Sequence, residues 1–201
     1  MKLILKLASY LFHPLWMPFA GSLFYFLLTP RYFPMPIIKA KLMAIAIITI
    51  FIPIVFYFLL KNLGKAKTIF LEKPKERKWP LFFFMLLSLM VLNQILNVYN
   101  YPALFYYFLG ILISSGIAFM LTWLKFKASL HMVGMAGLLM FVTGFSIHFH
   151  LYFIYTICFL MIATGLTASS RLYYKAHTPQ ELFAGFLIGL IPQIIVLNFW
   201  L

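Results

Sequence analysis

Five stretches of this chain carry no Lys, Arg, Asp or Glu: residues 7–30, 42–60, 79–124, 128–170 and 182–201. Runs of this kind restrict the fold sharply. About 20 apolar residues cross a bilayer as a helix, and in hydrocarbon every backbone N–H and C=O has to find its partner inside the protein. The first, second and fifth runs are each one span. The third and fourth are about twice that length, so each is expected to be a helical hairpin with its turn at headgroup level. Turn signals stand near both midpoints: "NVYNYP" at 97–102, with two Asn, two interfacial Tyr and a Pro, and "GFSIHFH" at 144–150. The reading predicts an all-α polytopic transmembrane helical bundle of six to seven spans, with residues 1–201 forming a single domain.

The first run is basic at its start and then apolar, like a secretory signal. Pro14 and Pro18 inside it, and the spans that follow, predict an uncleaved and kinked first helix; a re-entrant first segment is the alternative. Only 9% of residues are charged, against roughly 25% in a soluble domain, and the net charge of +13 suits anionic lipid headgroups rather than nucleic acid. Cys158 is the only cysteine, so no internal disulfide forms.

With seven crossings, thirteen of the 16 Lys and Arg and all 3 acids fall on one side of the membrane. By the positive-inside rule that side is cytoplasmic, and it stays so with Arg77, Lys78, Lys127 and Arg171 set aside as site candidates. Three polar clusters share it: "EKPKERKWP", "KFKASLH" and "SRLYYKAHTPQE", each just upstream of a span. Three helix N-termini, with their open N–H groups and positive dipole ends, join Lys and Arg there as a site for an anion, most simply a phosphate. A transporter would need ionisable groups near mid-span, and the runs hold none.

Ser170-Arg171, five residues, His177, three residues and Glu181 resemble the third motif of the type-2 phosphatidic acid phosphatase superfamily, Ser-Arg-x5-His-x3-Asp, with Glu in the Asp place. "ASLH", with Ser129 and His131, resembles its second motif, Pro-Ser-Gly-His, with Ala128 and Leu130 in the Pro and Gly places. The first motif, Lys-x6-Arg-Pro, is degraded: aligned on Pro80, its Lys and Arg places fall on Glu72 and Trp79, while Lys73, Lys75, Arg77 and Lys78 lie close by. "FHPLWMP" and "AHTPQELFAGFLIG" are similar to small bacterial members of the superfamily.

The resemblance implies the helical core shared by acid phosphatases and vanadium haloperoxidases, a metal-independent phosphatase without cofactor, and a phosphohistidine intermediate. His177 would attack phosphorus, Glu181 would orient it, and His131 would protonate the leaving oxygen. Arg171, Ser129 and Ser170 would hold the phosphoryl oxygens, with Arg77 and Lys127 as further phosphate contacts. The implied substrates are lipid monophosphates or pyrophosphates such as phosphatidate, phosphatidylglycerol phosphate or polyprenyl pyrophosphate. A catalytically degraded relative that binds or scaffolds lipid phosphate is the alternative. Many members of the superfamily work on the outer face of the membrane, against the charge count here.

Other features have plainer readings. Thr178-Pro179-x-Glu181 is also a capping box for the last span. Gly185 and Gly189 permit close helix approach, within one bundle or between copies. His148 and His150, without a nearby carboxylate or cysteine, are too few for a metal, and His13 sits in a Pro-rich apolar span; all three read as structural or interfacial.

Overall fold

The structure is a computed structural model and describes residues 2–65 and 74–200. Among the described residues it is all-helical. Among these residues six helices are long and apolar enough to cross a membrane: α3 (Met35–Asn62), α4 (Pro74–Ile95), α5 (Pro102–Trp123), α6 (Leu130–His148), α7 (Ile154–Tyr173) and α8 (Pro179–Leu197). Ahead of them α1 (Lys2–Leu11) and α2 (Pro14–Leu28) meet at a 41° bend. Their neighbours show that the pair runs the length of the bundle. The Tyr174 hydroxyl, just past the end of α7, donates to the Lys2 carbonyl (3.3 Å). At the far end Phe26 of α2 packs on Tyr101 beside the first hairpin turn, with ring centroids 5.8 Å apart. Counted as one broken span, α1–α2 brings the total to seven. The protein is a multi-pass membrane bundle, and its outer face is apolar: Val55, Met120 and Phe183 are among its many exposed hydrophobic side chains.

The expected breaks have local causes. The Asn97 side chain accepts from the N–H groups of Tyr99 (2.8 Å) and Asn100 (3.3 Å), which turns the chain between α4 and α5. The second turn lies further along than the sequence suggests. α6 continues through Gly144 to His148, and α7 begins at Ile154. Gly144 is a packing glycine, because a Cβ there would collide with Leu197 of α8. The turn is made instead by His150, whose φ of 52° lets its own N–H and that of Leu151 close back on Ile147 and Ser146.

α6 and α8 approach closely because α8 presents glycine to the backbone of α6. A Cβ on Gly185 would stand 2.6 Å from the Ser129 carbonyl oxygen, and one on Gly189 would run into the Val133 backbone. The Gly-x-x-x-Gly pair therefore serves packing within one bundle. It also joins two of the polar clusters, since the Ser129 N–H donates to the Glu181 carbonyl (3.0 Å). Toward the turn end the interior is filled by aromatic rings, with Tyr107 stacked on Phe141 (4.3 Å) and its hydroxyl bonded to the Met17 carbonyl (2.8 Å).

Candidate active site

The loop between α7 and α8 is pinned at both ends. α7 ends in a left-handed cap: Lys175 has φ 51°, its N–H reaches the Leu172 carbonyl (2.9 Å), and the Ala176 N–H reaches that of Arg171 (3.0 Å). α8 begins two residues later in a capping box, with the Glu181 N–H on Thr178 Oγ1 (3.3 Å) and the Thr178 N–H on Glu181 Oε2 (3.1 Å). His177 is the residue held between the two caps. The same Glu181 Oε2 lies 2.8 Å from His177 Nδ1, so one carboxylate oxygen caps the helix and orients the imidazole. A carboxylate only accepts, so Nδ1 carries the proton and Nε2 holds the lone pair of the neutral ring. His177 is neutral at pH 7: burial, and next the positive charge of Arg77, pull its pKa from 6.5 down to about 4, although the bond to Glu181 works the other way. The contact is a neutral imidazole donating to a carboxylate.

A cavity of about 330 Å3 opens beside this loop. Arg77, His131, Arg171 and His177 stand in its wall, all buried, with Arg77 and Arg171 only 5% and 6% exposed. Arg77 comes from the first turn of α4 and donates to the Ala128 carbonyl (2.7 Å), which ties α4 to the segment before α6. Lys127 does not reach the cavity wall. Its Nζ donates to the Ala176 carbonyl (2.8 Å), joining its segment to the His177 loop and adding positive charge near the imidazole. His131, at the start of α6, holds the Ser9 carbonyl through Nε2 (3.1 Å), which leaves Nδ1 as its open nitrogen.

Away from these groups the cavity turns apolar, between Pro53, Phe56, Leu81, Phe84 and Ile111. It extends as far as Gln193, which donates to the Tyr107 carbonyl (3.0 Å). From Glu181 to Gln193 along α8 is roughly 18 Å at 1.5 Å per residue. The chamber thus joins a cationic, two-histidine end to an apolar slot that descends into the membrane.

Several residues expected at the phosphate are placed differently. Ser170 is fully buried, with its hydroxyl on the Leu5 carbonyl (2.6 Å) and beside that of Ser9 (2.6 Å), so it fastens α1 to α7 and does not line the cavity. Ser129 is also fully buried and outside the cavity wall, and its Oγ has no hydrogen-bond partner among the described residues. Trp79, in the Arg place of the first motif, is 52% exposed and points away, whereas Arg77, two residues earlier, faces the cavity. Lys78 lies over the Trp123 ring (3.4 Å) and Lys75 is exposed. Glu72 and Lys73 fall outside the described residues.

His13, which the sequence reads as structural or interfacial, belongs with Arg77, His131, Arg171 and His177. It lines the same cavity, and its ring meets that of His131 edge to face at 5.2 Å. The available signal was its position immediately before Pro14, where the first helix has to break. No family model, curated protein or solved structure matches the chain.

Proposed function

We propose that this protein is an integral-membrane lipid phosphate phosphatase of the type-2 phosphatidic acid phosphatase kind, which hydrolyses a phosphomonoester or pyrophosphate of a lipid through a phosphohistidine intermediate. The observation that carries the reading is the His177–Glu181 pair on the wall of a chamber that is cationic at one end and apolar for the rest of its length. A lipid can leave its phosphate at the first and lay hydrocarbon in the second.

In the proposed reaction His177 Nε2 attacks phosphorus and forms a P–N bond as the P–O bond to the lipid breaks. Glu181 accepts from Nδ1–H and stabilises the positive charge that develops on the ring. Arg171 and Arg77 balance the charge on the transferring phosphoryl oxygens, where positioning and electrostatics supply most of the rate. A bound phosphate dianion favours protonation of His131 at Nδ1, and that proton goes to the departing lipid oxygen. Neutral once more, His131 takes a proton from the water that hydrolyses the P–N bond, releasing phosphate and restoring His177. The excess of Lys and Arg at the site end supports a site in the cytoplasmic leaflet.

The test is inorganic phosphate release by purified protein from a panel of lipid monophosphates and pyrophosphates, with His177→Ala alongside. Turnover that disappears in the variant supports the phosphatase. Bound but unhydrolysed lipid phosphate would point instead to a catalytically degraded relative that only recognises the headgroup.

A further inference from the structure

The broken first span brings a third imidazole to the chamber. Pro14 has no N–H and its ring obstructs the preceding turn, so α1 stops at Leu11 and the chain re-enters as a short 3-10 turn, Pro14–Trp16. Two backbone consequences follow. The Ser9 carbonyl, which an unbroken helix would give to the N–H of His13, is taken by His131 Nε2. His13 becomes the N-cap of the new turn, and its Nδ1 accepts from the Leu15 N–H (3.3 Å). A backbone N–H only donates, so Nδ1 is bare and the proton of the neutral ring sits on Nε2, at the opposite edge. The break therefore fixes the tautomers of two neighbouring histidines, His131 by a carbonyl and His13 by an amide.

We propose that His13 is a further ligand-binding residue of this site, donating its Nε2–H to an oxygen of the phosphate held beside Arg171. The inference rests on the reading of the chamber as a phosphate site. It assigns His13 a role that needs neither proton transfer nor a charge: a fixed, neutral donor on the cavity wall beside His131, supplied by α1–α2. It also gives the proline break a purpose, because a straight first helix would withdraw both the Ser9 carbonyl and the His13 ring.

Two substitutions separate this role from packing. His13→Gln keeps an N–H donor near the Nε2 position and loses the ring; His13→Phe keeps the ring against His131 and loses the donor. Affinity for inorganic phosphate is measured by titration calorimetry on the purified full chain in detergent, with thermal unfolding followed for each variant. The expected result is wild-type affinity within about twofold for His13→Gln and a loss of about tenfold for His13→Phe, the size of one hydrogen bond to a charged acceptor. The reverse order, or equal affinities in all three proteins, overturns the proposal. If His13→Phe does not fold, His13→Met supplies the donor-free comparison. Phosphate binding that follows the expected order in a protein without turnover would sink the phosphatase reading and keep the His13 assignment. Turnover with phosphate affinity indifferent to His13 would do the opposite.

Discussion

The two ends of the bundle both carry cations and histidines, and they use them in opposite ways. At the turn end Arg31, Lys39 and His150 are exposed, His148 packs its ring on Trp200 (5.4 Å), and Lys41 reaches back to the Ile95 carbonyl and the Tyr101 ring. These are the habits of groups that anchor helices at a membrane surface. At the site end Arg77, Arg171, His131 and His177 are buried against one cavity. Burying a guanidinium costs several kcal/mol unless opposite charge and hydrogen bonds offset it. Composition alone does not distinguish the ends. What does is burial against one cavity, where a bound phosphate would meet both guanidinium groups.

The contrast can be tested from its largest consequence downward. On the proposed mechanism His177→Ala and Arg171→Ala should each lower lipid phosphate turnover by about 10³-fold or more, one by removing the attacking nitrogen and the other a charge beside the transferring group. At the turn end His148→Ala and His150→Ala should leave the rate within about twofold. A steady-state assay on the four variants decides whether the two ends differ in function as they do in burial.

Glu181 joins capping to orientation in one oxygen, and substitution can divide the two. Glu181→Ala should lose about 1 kcal/mol of stability with the cap and at least about 10²-fold in kcat. Glu181→Gln keeps an acceptor for the Thr178 N–H and should hold most of the stability, yet still lose rate because the imidazolium is left without its counter-charge. Thermal unfolding beside kinetics reads both effects.

The pH profile follows from the depressed His177. With a folded pKa of about 4, the proposed nucleophile stays neutral through the slightly acid range, so the acid limb of kcat/KM should fall near 4 rather than near 6.5. The same shift makes a prediction for stability. Between about 4 and 6.5 the unfolded chain binds more protons at this histidine than the folded one, so its contribution to stability rises with pH across that window and is lost on acidification. Unfolding curves of wild type and His177→Ala should converge as pH falls through it.

The smallest effect concerns the loop that carries His177. Lys175 is exposed and held at positive φ, a conformation that costs a non-glycine residue roughly 1 kcal/mol. Lys175→Gly should raise stability by up to about that amount with little change in turnover, read by thermal unfolding.

The crossings were legible because charge avoidance over 20 residues is a one-dimensional signal, and so was the spacing that sets Arg171, His177 and Glu181 around one short loop. Gly144 was misread as a turn because glycine marks both breaks and close contacts, and only the position of Leu197 tells them apart. Ser170 and His13 were illegible for a related reason. Local spacing fixes which face of a helix a residue occupies, but α1 folding back along α7 decides that Ser170 meets Leu5, 165 positions away, and the α1–α2 break lying against α6 decides that His13 meets His131. Arg77 in place of Trp79 required the orientation of the first turn of α4, which a degraded motif does not supply.

In the proposed reaction His177 Nε2 receives the phosphoryl group, and that transfer can be observed directly. Purified protein would be mixed with a lipid phosphate labelled at phosphorus, quenched in base within milliseconds and digested, and the label mapped by mass spectrometry. The account predicts an acid-labile, base-stable phosphoryl group on His177, absent in His177→Ala and slower both to form and to decay in His131→Ala. Turnover without any phosphohistidine, or with the label on another residue, would contradict it.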